Sequence, residues 1–141
     1  MSSALIAALF FTVALLVVTG YFIMGAAPLL ILKHDTPVDS RFVRDFFNTY
    51  YLAAMVTATA TALSYAIAGR LLFAAGAAAL AALAAVLRHK VIAEMDSLRT
   101  QIQASGTDAI QKFRRTHLSA ILINLGQLVL IVWSLTAFSL K

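Results

Sequence analysis

No cysteine occurs among the 141 residues, which excludes disulfides, thiolate metal ligands and dithiol redox chemistry. Charge is almost as scarce. Asp, Glu, Lys and Arg make up 12% of the chain, against about 25% in a soluble domain. Mean hydropathy is +0.90, so water is not the main solvent for this surface. No GxSxG, HExxH or phosphate-binding loop is present, which leaves hydrolase and nucleotide readings without support. The long apolar runs hold no Asp, Glu, Lys or Arg. Proton-driven antiporters, pumps and voltage sensors need an ionisable group inside the membrane, so those classes are disfavoured too.

What remains is apolar and continuous. A bilayer core takes about 20 apolar residues in a helix, and four runs qualify: 4–32, about 46–68, 71–87 and 118–138. They do not alternate, so a transmembrane barrel is excluded. The first run lacks a basic leader and is too long for a cleavable signal, so it reads as a retained helix. The expected architecture is one all-α domain, a four-helix up-down membrane bundle. Its helices span about 4–32, 43–68, 71–104 with an extension beyond the bilayer, and 108–139.

Helix punctuation supports those boundaries. Thr36 can cap helix 2, Pro37 suits its first position, and Asp39 complements the dipole. Gly69 makes the tight turn into helix 3, Ser105-Gly106 ends that helix, and Asp108 with Gln111 starts the fourth. "LLFAAGAAALAALAAVL" is Ala-rich with Gly76. Small residues let helix backbones approach closely in lipid, which makes helix 3 the expected packing centre. Val91, Met95, Leu98 and Ile102 recur at helical spacing on its extension.

Charge placement sets an orientation. The links between helices 1 and 2 and between helices 3 and 4 carry Lys33, Arg41, Arg44, Arg88, Lys90, Arg99, Lys112, Arg114 and Arg115. The opposite side has only Arg70 and Lys141. By the positive-inside rule the links are cytoplasmic and both termini lie outside, in the periplasm for a bacterial inner membrane. All acidic residues and all three histidines share the cytoplasmic side. The net charge of +5 is therefore topological and adds attraction to the bilayer's anionic headgroups, and no separate basic patch points to nucleic acid. Trp133 and Lys141 read as interface anchors.

Polar groups inside the fourth run mark the candidate site. At 100° per residue, Asn124 falls within about 20° of His117, and Ser134 within about 20° of Gln127. On helix 2, Thr57, Thr61 and Ser64 line up, with Tyr50 and Tyr51 nearer the cytoplasm. These rows suggest a polar seam between helices 2 and 4. Interhelical hydrogen bonding explains Gln127 and the hydroxyls equally well. His34, His89 and His117 lie at matching heights, so two could ligate a haem or three an open metal site. His34 in "KHD" and His89 in "RHK" also fit ordinary interfacial residues.

"TGYFIMGAAPLL", "FFNTYY", "VIAEMDSLR" and "FRRTHLSAILIN" together resemble the transmembrane-protein-205-like family, whose bacterial members form a domain of unknown function. A more distant resemblance is to anthrone-oxygenase-like four-helix proteins. The first resemblance implies a four-helix fold and no established activity. It marks Pro28, Tyr50, Arg99, Phe113, His117, Ser119 and Asn124. A small residue commonly follows the histidine in that family, and Leu118 stands there instead.

The leading expectation is a non-enzymatic membrane protein. It is either a small accessory or assembly subunit, alone or with further copies of itself, or a bundle binding an amphipathic ligand. The ligand-site residues are His117, Asn124, Tyr50, Tyr51, Arg99 and Ser119. The alternative is a membrane enzyme or a haem- or metal-binding protein, in which His117 acts with Asn124 and Tyr50 or Tyr51.

Overall fold

A computed structural model describes residues 2–104 and 106–139. Four helices follow one another: α1 (Ser3–Leu29), α2 (Pro37–Ile67), α3 (Leu71–Gln103) and α4 (Thr107–Ser139). All four are long and apolar enough to cross a membrane, which makes the chain a multi-pass bundle. Each helix packs against the next and α4 returns to α1. Among the described residues, helix backbones approach only between these neighbours in the ring, never across its diagonals.

The ends are built as the residues dictate. Ser2 and Thr36 accept backbone hydrogen bonds from Leu5 and Asp39, capping α1 and α2. After α2 the chain reverses through Gly69 at φ +72. Arg70 N–H reaches Tyr65 O at 2.9 Å and Gly69 N–H reaches Ala66 O at 3.0 Å. That pair of bonds is a Schellman turn, and its left-handed position is why glycine stands there. Ser105 and Lys141 lie outside the described residues.

Inward faces follow helical spacing rather than hydropathy. Ala8, Thr12, Leu15, Thr19, Phe22 and Ala26 are the buried positions of α1, each three or four residues from the last. In α4 they are Ala109, Phe113, His117, Ala120, Ile121, Asn124, Gln127 and Ile131. Outward positions such as Phe10, Val17, Tyr21, Val129 and Trp133 are exposed and apolar, as a lipid-facing surface requires.

α3 differs from its expected role. It packs most extensively against α2, yet Ala75, Gly76, Ala78, Ala79 and Ala82 face outward. Nothing stands near the position a Gly76 side chain would take. Close approach inside the bundle uses Ala74, Ala77 and Ala84 instead.

At the basic end the α3 extension buries Met95, Leu98 and Ile102 against Phe47, Tyr51 and Phe113. Polar ties fasten this end. Arg44 of α2 grips Asp96 of α3 with two hydrogen bonds of 2.9 Å, and Arg88 donates to Asn48 at 3.0 Å. A bidentate pair of this kind fixes orientation more than it stabilises, since such half-exposed pairs contribute about 1 kcal/mol or less.

Candidate functional site

The end of α1 sets the site's geometry. The helix tightens as it finishes: Leu30 N–H bonds Ala27 O, Ile31 bonds Pro28 O and Leu32 bonds Leu29 O. This shortened pitch takes the Leu30 amide away from Ala26 O, which would otherwise accept it in a regular helix. α4 supplies replacements. His117 Nε2 lies 2.9 Å from Ala26 O, and Arg114 Nη2 donates to Leu30 O at 3.0 Å. The two side chains sit three residues apart on one face of α4. "RRTH" therefore closes the end of a neighbouring helix.

The link that follows folds back over the same spot. His34 adopts φ +59, a left-handed conformation uncommon for any residue with a side chain. Its ring is thereby placed inside the bundle, fully buried, with Nε2 at 3.3 Å from Nδ1 of His117. Phe47 packs edge-on against His117 at 5.0 Å between centroids, and Phe113 lies 5.4 Å from His34. His34 Nδ1 is buried and makes no hydrogen bond.

One level deeper, Tyr50 donates to Asn124 Oδ1 at 2.6 Å, while Asn124 Nδ2 donates to Ala120 O of its own helix at 2.7 Å. This bond crosses the diagonal between α2 and α4, where the two backbones never meet. Phe22 stacks on Tyr50 at 3.9 Å and holds the phenol in place. The Tyr51 hydroxyl lies near Asn124 but completes no hydrogen bond. Deeper still, Gln127 is buried with Nε2 unpaired. Thr57 and Thr61 bond carbonyls of their own helix and take no part in the seam.

Of the residues expected at the site, His117, Asn124, Tyr50 and Tyr51 are brought together. Ser119 is exposed on the other side of α4, two residues and about 200° from His117. Arg99 lies on the α3 extension, 3.6 Å from Asp96. His89 is exposed on α3, and among the described residues no three of His, Cys, Asp or Glu gather as a metal group. His34 is the member that sequence reasoning placed at the interface and the fold places at the centre.

Beside this polar core, on the lipid-facing side, a groove runs between α1 and α2. It measures about 250 Å³ and is lined by Val17, Val18, Tyr21, Phe22, Phe46, Thr49, Tyr50 and Ala53. Its floor is the Phe22–Tyr50 stack, so the same phenol faces the groove with its ring and Asn124 with its hydroxyl.

Burial, and secondarily Arg114, hold the His34 pKa below its ordinary value of 6.5, while the Leu32 backbone, Asp39 and Asp35 act the other way. A histidine depressed in the folded state binds its proton more readily when unfolded. Stability is therefore complete above 6.5 and falls as pH drops below it. Thermal unfolding in micelles from about pH 7.5 to 5 should show a flat upper region and a falling lower one. His34→Gln should make the fall shallower, with His117 still buried beside it; an unchanged slope would remove His34 as a contributor.

Comparison with protein-family models, curated proteins and solved structures finds no match for this chain.

Proposed function

We propose that this chain is a non-enzymatic bundle of a bacterial inner membrane that holds an amphipathic ligand in the groove between α1 and α2. The links face the cytoplasm and both termini face the periplasm. The observation that carries this reading is the groove itself. It is apolar along its length, open to lipid, and floored by an aromatic stack with the Tyr50–Asn124 hydrogen bond beneath. Ligand sites combine mostly apolar walls with a few placed polar groups. An acyl or isoprenoid chain fits the walls, and Thr49 and the nearby basic end suit a polar head towards the cytoplasm.

Two measurements test it. A photoreactive fatty acid added to membranes should label the groove, and Ala53→Trp, which fills it, should abolish that label while the bundle still folds. Equal labelling of both proteins would overturn the reading. Orientation is tested separately: alkaline phosphatase fused to the C-terminus should be active, and an inactive fusion that is stably made would reverse the topology.

A further inference from the structure

Along α1, Val18, Phe22, Gly25 and Leu29 recur at three- and four-residue steps, so they share one side of the helix. The groove between α1 and α2 uses Val18 and Phe22 and goes no further along that row. Phe46 is the reason. It is the α2 lining residue nearest the basic end, and its ring lies against the Gly25 backbone. A Cβ on Gly25 would stand 2.6 Å from Phe46 Cζ, and its three nearest atoms would all belong to that ring.

Helix direction explains the fit. Side chains lean towards the N-terminus of their own helix. α2 begins at the basic end and α1 finishes there, so the Phe46 ring leans towards that end while the side chains of α1 lean away from it. At Gly25 α1 contributes no side chain, and the ring from α2 takes the space. It lies nearly parallel to Phe22, at 5.7 Å and 17°, and Phe22 stacks in turn on Tyr50 at 3.9 Å. The end wall and the floor of the groove are thus one aromatic unit.

We propose that Phe46, seated on Gly25, is the stop that fixes how far towards the basic end a bound chain can lie, and so which of its carbons meet Tyr50. This rests on the reading of the groove as an acyl or isoprenoid site and adds the residue that sets its register. None of the lining residues is charged, so no ion pair there holds the head in place. Shape must do so instead. From Phe46 to Ala53, α2 rises about 10 Å, less than the roughly 15 Å of hydrocarbon in one leaflet. A leaflet-length chain cannot lie wholly in the groove, and its stop decides which part does. With the end closed, the head turns outward over the exposed Tyr21 and Thr49. Without the ring, the groove would continue over Gly25 towards Leu29.

The test maps, by mass spectrometry of the full chain from membranes, the residues labelled by a fatty acid whose photoreactive group sits next to its carboxyl. In the wild type the label should fall around Tyr21 and Thr49 and spare Gly25 and Leu29. Phe46→Ala should move most of it to Gly25 and Leu29, and Phe46→Leu, which keeps part of the packing, should move less. A Phe46→Ala map identical to wild type, or a wild-type map that already includes Gly25 and Leu29, overturns the stop while leaving the groove occupied. Label that persists in Ala53→Trp sinks the groove reading and the stop with it. The seat is tested without ligand, by unfolding in SDS. Gly25→Ala should lower the midpoint in the wild type but not in Phe46→Ala, where the ring that the added methyl would meet is gone. An equal lowering in both backgrounds would remove Gly25 as the seat.

Discussion

His117→Ala is expected to destabilise the bundle by about 2–4 kcal/mol, because it strands buried polar groups on two other segments at once. Ala26 O loses the donor that replaced its helical partner, and His34 loses the ring its Nε2 faces. Each buried unpaired group costs about 1–3 kcal/mol, and the vacated imidazole volume adds to that. The check is reversible unfolding by SDS in mixed micelles, with His89→Ala as the surface reference within about 0.5 kcal/mol of wild type. Asparagine at 117 should recover part of the loss if its amide reaches Ala26 O. A His117→Ala protein as stable as the reference would show that α4 does not close the end of α1.

The same contact explains what the sequence could and could not reveal. Helix number, length and caps were legible because they depend on neighbours in the chain: the Thr36-Pro37-Asp39 start and the Gly69 turn stand as read. The inward face of α4 was also legible, since seven residues bring Asn124 almost above His117. α1 gave no such mark, being apolar all round; its inward face is recorded only by small residues and Thr12 and Thr19 at three- and four-residue steps.

The role of His34 was hidden for a different reason. Its place depends on a left-handed turn in the link and on a carbonyl left free by the tightened end of α1. Neither feature has a residue pattern of its own, although His is one of the residues enriched at positive φ. Ser119 could have been set aside earlier, because positions two apart never share a helix face with His117. The Ala-rich run of α3 was misread through composition alone. Small residues permit close approach, but which of them are approached depends on where α2 and α4 lie.

The diagonal bond from Tyr50 to Asn124 should prove strongly coupled. Tyr50→Phe removes only the hydroxyl, and Asn124→Leu keeps the forked heavy-atom shape while leaving Tyr50 without an acceptor. Polar bonds between membrane helices average about 0.6 kcal/mol and reach about 1.7. This one belongs near the upper end: at 2.6 Å it is short, both residues are buried, and stacking on Phe22 fixes the phenol beforehand. Asn124→Leu alone is expected to cost about 1–3 kcal/mol, since it strands the phenol hydroxyl. In Tyr50→Phe that cost should shrink by the coupling energy, about 1–2 kcal/mol. Additivity within about 0.3 kcal/mol would mean that the hydroxyl finds another partner, for which Thr19, a polar side chain that also acts on it, is the candidate. The coupling matters beyond its size. Because α2 and α4 do not touch along their backbones, this hydrogen bond is a direct tie between Asn124 and the aromatic floor of the groove. Breaking it should therefore loosen photolabelling in the groove even where unfolding in SDS shifts only modestly.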